Sequence, residues 1–189
     1  MNPDPVLDAV FTRRSVPDLT APAPTRTELE ELVQAAATAP DHGRIRPWRL
    51  IPVTGDERAR LGEALGEATP PEQAHRAAAK PMRAPLLLTI VHCPVPDHPR
   101  VPPWEQLAAT TGMVTTLSLL LHSRGWCSIW RTGPAIEAPQ VRKYLGLDYG
   151  EQLLGWLYIG TPLRPDAARG RSLADVATRI SWEYTPDSR

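Results

Sequence analysis

Three short stretches of the chain gather residue types suited to holding a flat, anionic ligand. The first is "RRS", which sets Arg13, Arg14 and Ser15 in succession. Two guanidiniums and a hydroxyl match a phosphate ester, which carries about 1.5 to 2 negative charges and several acceptor oxygens that arginine engages bidentately. The competing reading is a helix end whose arginines complement the macrodipole. The second is "APDHGRIRPWRL", which packs His42, Arg44, Arg46, Trp48 and Arg49 into one short loop. Gly43 follows Pro40 and Asp41, a tight-turn signature where the main chain can come close to a ligand. An extended run would throw Arg44 and Arg46 to one side. A solvated turn is the plain alternative. The third is "SIWRTG", where Trp130, Arg131, Thr132 and Gly133 offer an aromatic wall, a cation, a hydroxyl and a flexible backbone. At a strand end lining a cleft these residues make sense, and for Trp130 a core aromatic behind the sheet is an equal alternative.

Composition limits what the ligand can be. Twenty-one basic and 21 acidic side chains give zero formal charge, so there is no global reason to seek nucleic acid or an anionic membrane. No RNP-like or helix-turn-helix pattern accompanies the cationic clusters. There is no G-x-G-x-x-G after a strand, no P-loop and no G-x-S-x-G, which disfavours dinucleotide-domain, P-loop and hydrolase readings. His92, Cys93 and His98 in "HCPVPDH" lack zinc-site spacing, so no metal is expected. Cys93 and Cys127 read as reduced packing residues of a cytoplasmic protein. The N-terminus lacks the basic and apolar regions of a secretion signal, and "GMVTTLSLLLHSRGW" is too short and too interrupted to span a membrane. Residues 1–189 are expected to form one domain.

The elements that must position these groups follow from the spacing. Asp4 before Pro5 predicts a helix over "VLDAVFTRR" that delivers Arg13 to Ser15 into a loop. Thr25 with Glu28 is a capping box, and Leu29, Leu32, Val33 and Ala36 form a one-sided apolar stripe ending near Pro40. "WRLIPV" reads as an edge strand because of Pro52. Thr54 with Glu57 predicts a second capped helix carrying Leu61 and Leu65. The alanine-rich segment from Thr69 to Arg83 suggests a mobile, lid-like helix. "APLLLTIVH" is a strand buried on both faces. Trp104 to Ser123 is the longest helix, stopped by Gly125. "WCSIWRT" and "LLGWLYIGT" are further strands, separated by a short helix from Pro139 to Gly146. "RGRS", Arg169 to Ser172, reads as a solvated segment of a long C-terminal arm, and such an arm gains buried area by crossing onto a partner subunit.

In this order, "RRS", "APDHGRIRPWRL", "WEQLAATTG", "IWRTG" and "GWLYIGTP" resemble the FMN-dependent nitroreductase family, in particular its small single-domain YdjA-like branch. The resemblance runs from about Arg13 to Pro162. It implies an α+β fold, an α/β/α sandwich with a mainly antiparallel sheet, a central long helix and a C-terminal arm crossing to the dimer partner. It also implies a homodimer with non-covalent FMN at the subunit interface. By that resemblance Arg13, Arg14 and Ser15 hold the phosphate and ribityl end, and His42 reaches the flavin of the neighbouring subunit. Trp130, Arg131 and Thr132 correspond to the family's "WRS", while Leu120 to Gly125 corresponds to a nicotinamide contact. Relatives carry an FMN-contacting arginine where this chain has Thr38. Negative charge that builds on the N1 to C2=O edge of a reduced flavin calls for a cation, and Arg44 and Arg46 are the two candidates. The implied activity is a ping-pong oxidoreductase taking electrons from NAD(P)H to a nitroaromatic, quinone or similar acceptor, with flavin N5 and no protein acid or base carrying the chemistry. The alternatives are a flavin-sequestering protein, or a relative performing dehalogenation, enoate reduction or flavin fragmentation.

Overall fold

A computed structural model describes residues 4–164 and 174–182 of the protein. The first helix, α1 (Pro5–Thr12), is capped by Asp4, whose carboxylate accepts from the N–H groups of Val6 and Leu7. None of its residues is buried, although Val6, Leu7, Val10 and Phe11 are apolar. A two-residue strand, β1 (Leu19–Thr20), leads to α2 (Arg26–Ala36), where Thr25 Oγ1 accepts from Glu28 N–H at 3.2 Å. Leu29, Leu32 and Ala36 are buried, as the stripe predicts.

The remaining elements are β2 (Trp48–Thr54), α3 (Glu57–Glu67), α4 (Pro71–Ala78), β3 (Leu86–His92), α5 (Pro103–Ser123), β4 (Cys127–Arg131), α6 (Pro139–Tyr144) and β5 (Gln152–Pro162). The sheet runs β1-β5-β3-β2 with β4 also paired to β5, and all these pairings are antiparallel. β2 lies at the sheet edge, where Pro52 needs no ladder donor. Every residue of β3 is buried, because helices cover both faces. One layer, α2 and α5, packs on Leu86, Leu88 and Ile90; the other, α3, α4 and α6, packs on Leu87, Trp156 and Tyr158. The protein is therefore an α+β sandwich of three layers with α5 central. No helix among the described residues is long and apolar enough to cross a membrane.

Two expectations from sequence are overturned. Thr54 does not cap α3: its pairing with Leu86 draws it into the ladder, and the N-cap position falls to Asp56, which makes no side-chain cap bond. The segment after Thr69 is not a free lid. α4 docks on α3 with Ala77 buried, and Gly62 admits the contact, since a Cβ there would collide with the carbonyl oxygen of Ala78. Weak periodicity misled here because small residues pack by close backbone approach. Residues 177–179 form a short helical turn, whereas "RGRS" and most of the C-terminal arm lie outside the described residues.

A bulge in β5 sets the geometry of the site. Ile90 pairs with Gly155 but Val91 pairs with Leu153, so Leu154 is the extra residue. Side-chain parity flips there: Leu153 and Trp156 join one layer while Leu154 and Leu157 join the other. Gly155, with φ +106°, occupies the bulge and lets β4 approach closely, since a Cβ would run into the carbonyl oxygen of Arg131.

Candidate functional site

Past the end of α1, Ser15 makes a parallel bridge to Ser128, and Val16 N–H donates to Ser128 O at 3.2 Å. The N-terminal segment thereby lies against one edge of β4, opposite the edge paired with β5. Arg13, Ser15, Thr115, Ser118, Ser128 and Trp130 line a cavity of about 170 Å³ there, and none of the described residues lining it is acidic. This is an anion-compatible set: a guanidinium and four hydroxyls. Thr115 and Ser118 were not picked out from sequence, although polar residues three apart inside the apolar "TTLSLLL" are a signal for them.

Arg14 separates from Arg13. Its Nη1 donates back to the carbonyl oxygens of Phe11 and Arg13, so it closes the C-terminal end of α1, the competing reading for this pair. Beside Arg13, Thr12 Oγ1 and His122 Nε2 are 2.8 Å apart. Burial, with Arg13 nearby, holds His122 below its ordinary pKa, favouring the neutral ring. The stretch Leu120 to Gly125 serves as the end of α5, with Leu121 buried and Arg124 paired to Glu31 at 2.7 Å.

The loop holding His42, Arg44 and Arg46 is not extended. It is a tight helical turn over His42–Arg44 in which Asp41 acts as a staple, its carbonyl accepting from Arg44 N–H and its carboxylate from Arg46 N–H at 2.7 Å. Arg44 and Arg46 have φ of +54° and +46°, left-handed conformations that cost roughly 1 to 2 kcal/mol each. The two arginines consequently part. Arg46 lines a groove of about 690 Å³ with Thr38 and Trp48, whereas Arg44 does not. His42 Nδ1 is 2.6 Å from Glu105 Oε2 at the start of α5. The first cavity contacts α5 at Thr115 and Ser118, thirteen residues beyond Glu105 in the case of Ser118. At 1.5 Å rise per residue the two places are about 15 to 20 Å apart along the helix. Within one chain His42 and Arg13 cannot share a ligand atom.

The "WRT" triplet is split across the sheet, because successive strand residues face opposite sides. Trp130 packs with the α2 and α5 layer, and its Nε1 donates to Leu154 O at 2.9 Å, which makes it a satisfied structural aromatic at the wall of the first cavity. Arg131 and Thr132 line a different cavity, of about 430 Å³, on the side of Tyr158.

The other residues of interest have structural partners. Arg49 is not a ligand cation: it forms a bidentate pair with Glu151, both contacts 2.7 Å, and donates to Gly146 O. That pair and an Asp148 N–H hold the Glu151 carboxyl down to about 2. Cys93 donates toward Glu151, and burial with the adjacent carboxylate pushes its thiol up to about 11, which disfavours the thiolate at neutral pH. Cys93 and Cys127 are both free thiols. His92 Nδ1 faces Pro47 O and Thr110 Oγ1, while His98 Nδ1 accepts from Arg100 and Val101, so the two histidines serve separate turns.

Comparison with known proteins agrees with the fold. The model of the Nitroreductase family matches residues 10–161. An Escherichia coli K12 relative named "Putative NAD(P)H nitroreductase YdjA" is 32% identical over 161 residues, covering 82% of this chain and 87% of its own. A Haemophilus influenzae relative is 29% identical over 160 residues with the same 82% and 87% coverage. A nitroreductase-like family protein from Bacillus cereus superposes with a TM-score of 0.83 at 24% identity over 96% of this chain and 97% of its own. The FMN and NADPH-dependent nitroreductase NfnB of a Sphingopyxis-type strain (HMH) gives a TM-score of 0.74 at 20% identity, over 95% and 99% of the two chains. The match to the family model over most of its length, with a 32% identical relative, means that this chain belongs to the nitroreductase family.

Proposed function

We propose that the protein is a cytoplasmic, single-domain NAD(P)H oxidoreductase of the nitroreductase type that holds FMN non-covalently between two copies of the chain. When bound, FMN supplies hydride chemistry at N5, linking NAD(P)H to a nitroaromatic, quinone or similar acceptor in two half-reactions. The observation that carries the reading is the hydroxyl-lined cavity with Arg13 at the edge of β4 that does not pair with β5. Its donors fit a phosphate and a polyol, with Arg13 as the cation and Ser15, Ser118 and Ser128 as neutral partners. Beyond the Ser15 bridge, no other strand among the described residues takes that edge of β4. Backbone groups on that edge suit the donors and acceptors of a flavin pyrimidine ring, and Trp130, anchored to Leu154 O, forms part of the wall.

The second subunit is needed because the cavity and the His42 loop lie about 15 to 20 Å apart along α5 in one chain. A two-fold copy sets His42 and Arg46 of one protomer against the cavity of its partner. Glu105 engages His42 Nδ1, leaving Nε2 as the nitrogen that can meet a ligand. We assign Arg46, rather than Arg44, to the charge that Thr38 lacks, because Arg46 and Thr38 line one groove. An eight-residue helix such as α1 is marginal alone, and its apolar Val6, Leu7, Val10 and Phe11, together with exposed Trp104 and Leu107 of α5, provide a surface to bury in the dimer.

Flavin titration of the purified chain tests this. The wild type should acquire bands at roughly 370 and 450 nm that survive gel filtration. Arg13→Ala should weaken FMN binding by about 1.5 to 3 kcal/mol, the scale of a lost charge-assisted hydrogen bond. Unchanged affinity refutes the phosphate role, and a protein that stays colourless in excess FMN refutes the cofactor.

A further inference from the structure

The first turns of α5 form a platform for the His42 loop. Gln106 is 1% exposed; its Oε1 accepts from Val95 N–H at 2.8 Å and its Nε2 donates to the carbonyl oxygens of Val95 and Val101, both at 3.0 Å. One turn on, Thr110 Oγ1 donates to Pro47 O at 3.1 Å, which ties the end of the loop to the helix. Glu105 reaches the start of the loop, its Oε2 2.6 Å from His42 Nδ1 although the two residues are 63 positions apart. A glutamate in the first turn of a helix has two routine uses. One is to complement the macrodipole, which calls for no particular partner. The other is to close a capping box by accepting from the N-cap backbone N–H. The N-cap of α5 is Pro102, which has no N–H, so the second use is closed to Glu105. Among the described residues the Glu105 side chain has no hydrogen-bond partner except His42. The carboxylate is also the better covered of the two, 26% exposed against 56% for the imidazole. A carboxylate only accepts, so Nδ1 donates and the neutral ring carries its proton there. Nε2 is then a bare acceptor, with no partner among the described residues.

We propose that Glu105 is a positioning residue: it fixes the tautomer and ring plane of His42 so that Nε2 accepts from an O–H or N–H donor of the FMN held by the partner copy. The role rests on flavin binding across two copies of the chain. A bare Nε2 suits a ribityl hydroxyl or the imide N–H, and it does not suit a phosphate oxygen or the C2=O edge. His42 therefore contributes orientation, while Arg13 and Arg46 contribute charge.

Long-range proton–nitrogen correlation spectra of the FMN-free chain in mildly alkaline buffer read the tautomer directly, with His42→Ala identifying the signal. The wild type should show Nδ1 protonated and Nε2 unprotonated, and Glu105→Ala should show a mixture of the two tautomers. FMN titration of both single variants and of the double variant then separates positioning from scaffolding. Each single change should weaken FMN about tenfold and the double change no further, because Glu105 acts only through His42. Two independent contributions multiply instead, to about a hundredfold. A wild-type ring protonated on Nε2, a tautomer unmoved in Glu105→Ala, an undiminished FMN affinity in that variant, or a multiplicative double variant each overturns the role. A wild type that takes up no FMN refutes the flavin reading and this role with it, whereas any of those four results in a chain that binds FMN refutes the role alone.

Discussion

Neutralising Glu151 should make the protein less stable at neutral pH and not in strong acid. In the folded chain Glu151 accepts two charge-assisted bonds from Arg49 at 2.7 Å and one from Asp148 N–H at 2.8 Å. These hold its carboxyl at about 2 against an ordinary 4.5. At 1.36 kcal/mol per unit, that shift corresponds to roughly 3.4 kcal/mol as an upper bound. Glu151 is well covered but the Arg49 side chain is 38% exposed, so solvent screening lowers the expected value to about 2 kcal/mol. The folded-state pKa is depressed, so the contribution is present above pH 4.5 and is lost as pH falls through about 2. Urea denaturation of wild type and Glu151→Gln should therefore show a gap of about 2 kcal/mol at neutral pH. A gap of that size moves the midpoint of thermal unfolding by roughly 4 to 8 °C for a chain of this length. The gap should close between pH 4.5 and 2, and shrink modestly in 1 M salt. A gap that stays constant with pH, or one below about 0.5 kcal/mol at neutral pH, refutes the assignment of Arg49 as a structural partner.

Gly155→Ala should cost about 3 kcal/mol or more by denaturant titration and weaken FMN binding, because both the φ of +106° and the carbonyl of Arg131 oppose a Cβ and the nearby end of β4 must shift; a loss below about 1 kcal/mol contradicts the close approach. Phe11→Asp should shift the chain from dimer to monomer in sedimentation velocity and lower FMN affinity with it, since the residue is 49% exposed on α1 and a charge is costly to bury. An unchanged dimer removes α1 from the interface.

Much of the scaffold can be read along the chain. Asp4 with Pro5 and Thr25 with Glu28 mark helix starts because capping is a local bond, formed within three residues. The seven apolar residues of β3 announce a strand covered on both faces, and Pro52 announces an edge, since both depend only on what a residue can bury or donate. The candidate site was legible only as chemistry. Side by side in sequence, Arg13 and Arg14 divide into a cavity cation and a helix-end cap, and Trp130 and Arg131 divide across the sheet. Thr54 resembles a cap, yet pairing with Leu86 outweighs one side-chain bond.

Residue types and local spacing alone establish the elements, their apolar faces and the presence of cations and hydroxyls suited to an anion. Which cations converge is decided by the fold: the bulge at Leu154 and Gly155 sets the register of β5 against β3, Asp41 curls the His42 loop, and Glu151 withdraws Arg49. Two of these outcomes, the register of β5 and the capture of Arg49, rest on contacts between residues dozens of positions apart. A contact of that kind has no periodicity to leave in the sequence, because its partner is chosen by packing rather than by spacing along the chain.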